Sequence, residues 1–368
     1  MKYNFDKVID RSGTSAEKVE GLKHIWGRTD LIPLWVADMD FATAPFVTDA
    51  IRKRCENEVL GYTGKPDSYY NAIINWVKQR YDLIVTKEVI NFVPGIVPGI
   101  GMAMNCFTQK GDKVMIQPPV YHPFAWVTTR NERTLVINPL KWENGMYRMD
   151  LDAFREQIKG CKLFILCNPH NPGGVVWTEA ELRAIADICY DEKVLVFSDE
   201  IHADLTLPPH THRPFATVSE KARMNSVTFM SPSKAFNMPG LSASHALIFN
   251  EDLRKRFRIY MDAGELDMGH VFAFLSVEAA YSHGTEWLDQ CLAYIQGNID
   301  FVDEFLKKHA PKIKAIRPEA SYLVWLDCRE LELSQKDLNE FFVDKAHLAL
   351  NDGEMFGKEG IGFMRLNV

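Results

Sequence analysis

Two stretches of this chain are apolar without interruption over strand length: residues 162–168 (KLFILCN) and 194–199 (VLVFSD). A strand with one solvated face alternates apolar and polar side chains. A run without alternation has to be covered on both faces, as in a parallel sheet sandwiched between helices. Shorter β-like runs at 89–93, 113–117, 134–137, 226–231 and 245–249 accompany them. Helical runs separate several of these. Residues 67–81 place Tyr70, Ile73, Ile74, Val77 and Tyr81 on one face, with Asp67 as a candidate cap. Residues 98–108 read as a helix, and Thr178 with Glu181 makes a capping box for a helix running to Tyr190. This alternation predicts an α/β fold with a mostly parallel central sheet.

Beyond residue 280 the spacing widens. A long amphipathic helix over 286–308, a strand over 322–327 and a helix over 334–347 suggest a smaller α+β unit. The first forty residues read as short and loop-like, expected to pack on that unit or on a partner. A length of 368 residues with 46% apolar and 25% charged side chains suits two or three packing units and excludes a disordered chain. The net charge, 42 − 49 = −7, supplies no bulk attraction to nucleic acid or anionic lipid. No apolar run reaches membrane-helix length, and residues 1–11 carry no export signal. Cys55, Cys106, Cys161, Cys167, Cys189, Cys291 and Cys328 are scattered with no CxxC pair, as expected of reduced thiols in a cytoplasmic protein.

Common ligand motifs are missing. PGIVPGIG near Gly95 lacks GxGxxG spacing, and there is no Walker loop, HExxH or GxSxG. His210 and His212 sit in a Pro-rich loop without a third ligand, so they read as surface residues and no metal site is expected.

The unusual polar residues instead fall at strand ends, where open α/β sheets bind ligands. These segments are Pro94-Gly95-Ile96-Val97-Pro98, Asn168-Pro-His-Asn171-Pro-Gly-Gly, Ser198-Asp199-Glu200-Ile-His202 and Ser231-Pro-Ser233-Lys234. A desolvated Lys234 loses its proton readily and can form a Schiff base. Ser231, Ser233 and the backbone N–H groups after Gly95, at a helix N-terminus, can hold a phosphate. Asp199 ends a buried strand, where a bare carboxylate is costly and a ring cation would compensate it. Asn171 can donate to a phenolate. An aldehyde adduct, a ring cation, a phenolate and a phosphate together describe pyridoxal phosphate.

NPHNPGG, SDEIHADL, SPSKAFNMPGL and FMRLNV, in that order, resemble fold-type I pyridoxal-phosphate enzymes of the class I/II aminotransferase superfamily. WVADMDF, GYTGKPD, PVYHPF, AAYSHGTEWLDQCLAYIQGN and SYLVWLDCR resemble more closely the branch of cystathionine β-lyases and cysteine-S-conjugate β-lyases that also holds the maltose-regulon modulator. The resemblance spans nearly the whole chain. It implies that Lys234 binds the cofactor covalently and shuttles the Cα proton. It pairs Asp199 with the ring nitrogen and Asn171 with the phenolic oxygen, and it stacks Tyr121 on the ring. His202 falls where many aminotransferases carry Tyr and this branch has His. Ser231, Ser233 and the backbone of Ile96 and Val97 would hold the phosphate, joined by Tyr62 across a homodimer interface. Arg365 would grip the substrate α-carboxylate, with Ala37 and Asp38 bordering the amino-acid substrate. Glu200 reads as structural.

The implied reaction is β-elimination from L-cystathionine or another cysteine S-conjugate, giving a thiol, pyruvate and ammonia. Transamination is the nearest alternative, and a regulatory scaffold that binds a protein is a second. The motifs divide the chain into a large cofactor-binding domain, 45–280, and a small domain from 1–44 and 281–368. Related chains also imply about one further helix beyond Val368, which follows Arg365 closely.

Overall fold

A computed structural model describes residues 2–368. Its centre is a seven-stranded sheet of β1 (Ile90–Val93), β2 (Lys113–Ile116), β3 (Thr134–Ile137), β4 (Cys161–Cys167), β5 (Leu195–Asp199), β6 (Ser226–Met230) and β7 (Ser244–Leu247). The spatial order is β1-β7-β6-β5-β4-β2-β3. Every pairing from β6 to β3 is parallel, while β7 runs antiparallel to both its neighbours.

The uninterrupted apolar runs are explained by two covered faces. Along β4, Leu163 and Ile165 enter one core with Ile100, Phe197 and Phe229. Phe164 and Leu166 enter another with Trp177, Leu182 and Ile185. Each of these side chains is at most 2% exposed, so each contributes about 1.5–3 kcal/mol of burial.

Among the helices, α1 is Glu17–Trp26, α2 Asp67–Tyr81, α3 Ile96–Phe107 and α4 Glu179–Asp191. The predicted capping box of α4 is present, with Thr178 and Glu181 bonding reciprocally. Helix α3 starts at Ile96, before the expected Pro98, because Gly95 turns sharply at φ +130° and frees the next N–H groups. Asp67 does not cap α2. It is the first helical residue, and its carboxylate accepts from Lys87 Nζ at 2.5 Å.

A second sheet of four strands holds β8 (Lys314–Ile316), β9 (Leu323–Asp327), β10 (Asn351–Asp352) and β11 (Phe363–Asn367), in the order β8-β9-β11-β10 and antiparallel throughout. Helix α5 (Val271–His283) packs on α2, and the long α6 (Thr285–His309) follows it. The expected boundary at 280 falls inside α5. The helix expected over 334–347 is instead Gln335–Glu340 followed by a π turn at Phe341–Lys345.

The N-terminal segment is less loop-like than expected, since α1 lies within it. Its pattern is masked because Lys18, a charged residue, is fully buried alongside Gly21 and Leu22. No helix among the described residues is long and apolar enough to cross a membrane.

Candidate active site

Because β1, β4, β5 and β6 run the same way, their carboxyl ends share one edge of the sheet. The reversed β7 brings its first residue to that edge. There Ala37, Ile96, Val97, Tyr121, Asn171, Asp199, His202, Ser233 and Lys234 line one cavity of about 290 Å³. Cys167, Ser242 and Ser244 line it too, and the sequence reading missed them. The two serines became visible only with the reversed direction of β7, which no local pattern announces.

Lys234 follows β6 and is partly buried, with Nζ donating to the Ala37 carbonyl at 2.5 Å. Burial, aided by the Arg365 charge, lowers its pKa to about 8. Asp199 is buried at the end of β5, where Oδ1 accepts one hydrogen bond, from Ile201 N at 3.1 Å. Burial raises this carboxyl to about 7. A cation lodged beside it would restore the ionised form. His202 is buried with no partner for Nδ1, and burial lowers its pKa to about 3, so the ring is neutral at physiological pH.

The N-terminus of α3 lines the same cavity. Its first N–H groups belong to Ile96 and Val97 and have no intrahelical acceptor. Ser233 lines the same wall. Ser231 is directed elsewhere. Its hydroxyl donates to the Ala243 carbonyl at 2.8 Å and accepts from Ser233 N at 3.1 Å, so it braces the turn and does not line the cavity. Tyr62 is also outside the cavity, 98% exposed on a segment without regular secondary structure.

Arg365 lies on β11 and is buried. Nη1 donates to Asn171 Oδ1 at 3.1 Å, and Nη2 donates to Asn351 Oδ1 at 2.5 Å and to the Trp35 carbonyl at 3.0 Å. The guanidinium stacks on Phe356, 4.9 Å from the ring centre. Burial lowers its pKa to about 10, which leaves it charged at neutral pH, and Nε has no partner. Since Arg365 occupies Asn171 Oδ1, the Asn171 amide group keeps its two N–H donors for the cavity. Asn351 and Phe356 were not singled out in the sequence. They sit on a short strand and a short turn, with no periodicity to mark them.

Residues 35–41 form a strap beside the amine, and its carbonyls are claimed in turn. Asn367 Nδ2 donates to Val36 O at 2.5 Å and to Asp38 O at 2.7 Å. Tyr322 Oη donates to Ala37 O at 2.9 Å, and Lys18 Nζ to Asp38 O at 3.1 Å. The Asp38 carboxylate is turned away from the cavity toward Arg11, which grips it bidentately at 2.7 and 3.1 Å.

Behind Asp199, Glu200 is structural, as expected. It accepts from Ser198 Oγ and Phe215 N, each at 2.8 Å. His212 corrects the surface reading. It is 3% exposed, and its Nε2 lies 2.8 Å from Glu200 Oε2. Among the described residues no group of three or more His, Cys, Asp or Glu could hold a metal ion.

The profile of the family described as Aminotransferase class I and II matches residues 29–368. The chain belongs to this aminotransferase family. Among curated relatives of this family member, Cystathionine beta-lyase PatB of Bacillus subtilis (strain 168) is 39% identical over 366 residues, covering 99% of this chain and 95% of PatB. A PLP-bound putative aminotransferase from Clostridium difficile 630 superposes with a TM-score of 0.97 at 41% identity, covering 100% of this chain and 95% of the other. The PLP-bound C-S lyase from Staphylococcus hominis gives 0.91 at 36% identity, covering 100% and 94%.

The cavity of this aminotransferase-family chain fits pyridoxal phosphate. A buried carboxyl held partly neutral, an amine of lowered pKa and an open helix N-terminus line one space. They match a ring cation, an aldehyde and a phosphate.

Proposed function

We propose that the protein is a pyridoxal-phosphate-dependent carbon–sulfur β-lyase. It acts on L-cystathionine or another cysteine S-conjugate, and the products are a thiol, pyruvate and ammonia. The observation that carries this reading is the shared cavity of Lys234 and Asp199, with Arg365 joined to it through Asn171. The lyase names of PatB and of the Staphylococcus enzyme support the choice of reaction.

Bound at this site, the cofactor would supply an aldehyde for Lys234 and a cationic ring that takes up the electrons left at the substrate Cα. Asp199, ionised, would hold the ring nitrogen protonated. Arg365, charged and held by Asn351 and Trp35, takes the substrate α-carboxylate through its planar fork. The Lys234 amine, whose pKa burial lowers to about 8, would be the base that removes the Cα proton. The thiolate then leaves Cβ, and the remaining three-carbon fragment takes up one water to give pyruvate and ammonia. Ile96, Val97 and Ser233 would hold the phosphate, and Tyr121 and His202 would flank the ring.

The exposure of Tyr62, Val59 and Leu60 on one segment supports a homodimer in which Tyr62 reaches the neighbouring site. The seven free cysteines support a reducing, cytoplasmic setting.

Purified protein mixed with L-cystathionine should release pyruvate and a thiol together. Steady amino transfer to an oxo acid without pyruvate would replace this reading with the aminotransferase one.

A further inference from the structure

Asn237 lies in the turn that carries Lys234, yet it faces the strap. Its Oδ1 accepts from Met39 N at 3.0 Å, and its Nδ2 donates to Met39 O at 2.9 Å and to Phe41 O at 2.7 Å. Its own carbonyl accepts from Thr43 Oγ1 at 2.6 Å. Asn237 has φ +51°, a left-handed conformation that Asn and Gly tolerate better than most residues. The Lys234 amine bonds the same strap at Ala37. Five hydrogen bonds therefore join one short turn to one short segment, all within partly buried surroundings.

The strap is otherwise anchored to distant elements. Lys18 of α1, Tyr322 and Asn367 hold its other carbonyls, and Arg365 bonds Trp35 beside them. Asn237 is the side chain that registers the amine-bearing turn against this assembly. We propose that Asn237 is a positioning residue for the elimination, a latch that keeps the Lys234 amine and the substrate-side strap in one fixed register. The proposal rests on the β-lyase reading for its activity measurement, but not for its spectroscopic one. The latch does not touch substrate or cofactor. It acts by limiting the freedom of the amine at the moment of proton removal, where small displacements cost rate.

The test compares the wild-type holoenzyme with Asn237→Gly. Glycine keeps the positive φ without strain and removes the whole side chain, the amide included. L-Cystathionine is the substrate, and the pH midpoint of the visible cofactor absorbance is followed alongside. The expected result is a fall in kcat of about tenfold, with KM changed less than about threefold. The absorbance midpoint should move down, because a protonated Lys234 nitrogen loses a well-placed acceptor when the strap drifts. Thr43→Ala, a milder change at the same junction, should move both readings the same way by less. It carries the test if the glycine variant fails to fold. Unchanged kcat and midpoint would overturn the proposal. So would a lower kcat with an unmoved midpoint, the pattern of a merely loosened fold. Absence of pyruvate from the wild type would instead count against the lyase reading, and the midpoint comparison would still decide the latch.

Discussion

At the residue scale, the pair Lys234 and Asp199 is the most consequential. Lys234→Ala should lower pyruvate release by about 100- to 10,000-fold and abolish the visible cofactor absorbance, measured by coupled assay and spectrum. Asp199 makes a prediction about the protein without its cofactor. Its carboxyl is raised from 3.8 to about 7, so the folded chain binds a proton more readily than the unfolded chain does. The stability this confers is present below about pH 4 and is lost as pH rises through about 7. Urea unfolding of the cofactor-free protein should show that decline, and Asp199→Asn should flatten it. Arg365 depends on a neighbour no motif indicated. Asn351→Ala removes its 2.5 Å acceptor and should raise KM for L-cystathionine by about tenfold with a smaller effect on kcat.

At the scale of elements, the turn into α3 presents the N–H groups proposed to hold the phosphate. Gly99 sits where a Cβ would come within 2.9 Å of Val93 and 3.2 Å of Phe229. Gly99→Ala therefore pushes the helix off the sheet. It should cost about 1–3 kcal/mol in urea unfolding and weaken cofactor retention in dialysis. Legibility followed the physics of each element. The strands at 161–167 and 195–199 were readable because two-sided burial leaves an uninterrupted apolar run. Asp199 was readable as a candidate because it ends such a strand, and Asn171 and Lys234 because each closely follows one. Helix α1 was not, since a buried lysine paired with Asp40 at 2.8 Å looks like a solvated one in the sequence. His212 was misread for the same reason, its Glu200 partner being distant in the chain. Ser231 shows the converse. A hydroxyl at the right spacing was directed into the turn by the carbonyl of Ala243.

At the scale of the whole molecule, the second sheet reaches the cavity through one side chain. The central sheet and the segments that follow its strands supply the amine, the carboxyl and the helix N-terminus, and Arg365 of β11 bonds Asn171 of the cavity lining. The large unit of 45–280 and the remainder share one apolar core, which contains both Trp76 and Tyr322. In the proposed homodimer, Tyr62 would reach the neighbouring subunit's site. Tyr62→Ala should leave the solution mass that of a dimer while lowering cofactor affinity severalfold, read by sedimentation and by fluorescence titration. A monomeric wild type would remove the basis for that role.

The shared anchoring of the strap bears on how the protein matures on the ribosome. Lys234, Asp199 and the α3 turn emerge well before Arg365 and Asn367, which close over residues 35–38. Domains tend to fold in the order of synthesis. A nascent chain can therefore build the lysine end of the cavity first, while the proposed grip of Arg365 on an amino acid waits for β11. Cofactor capture would then precede substrate competence, and a reactive amine would spend little time in a site able to hold substrate.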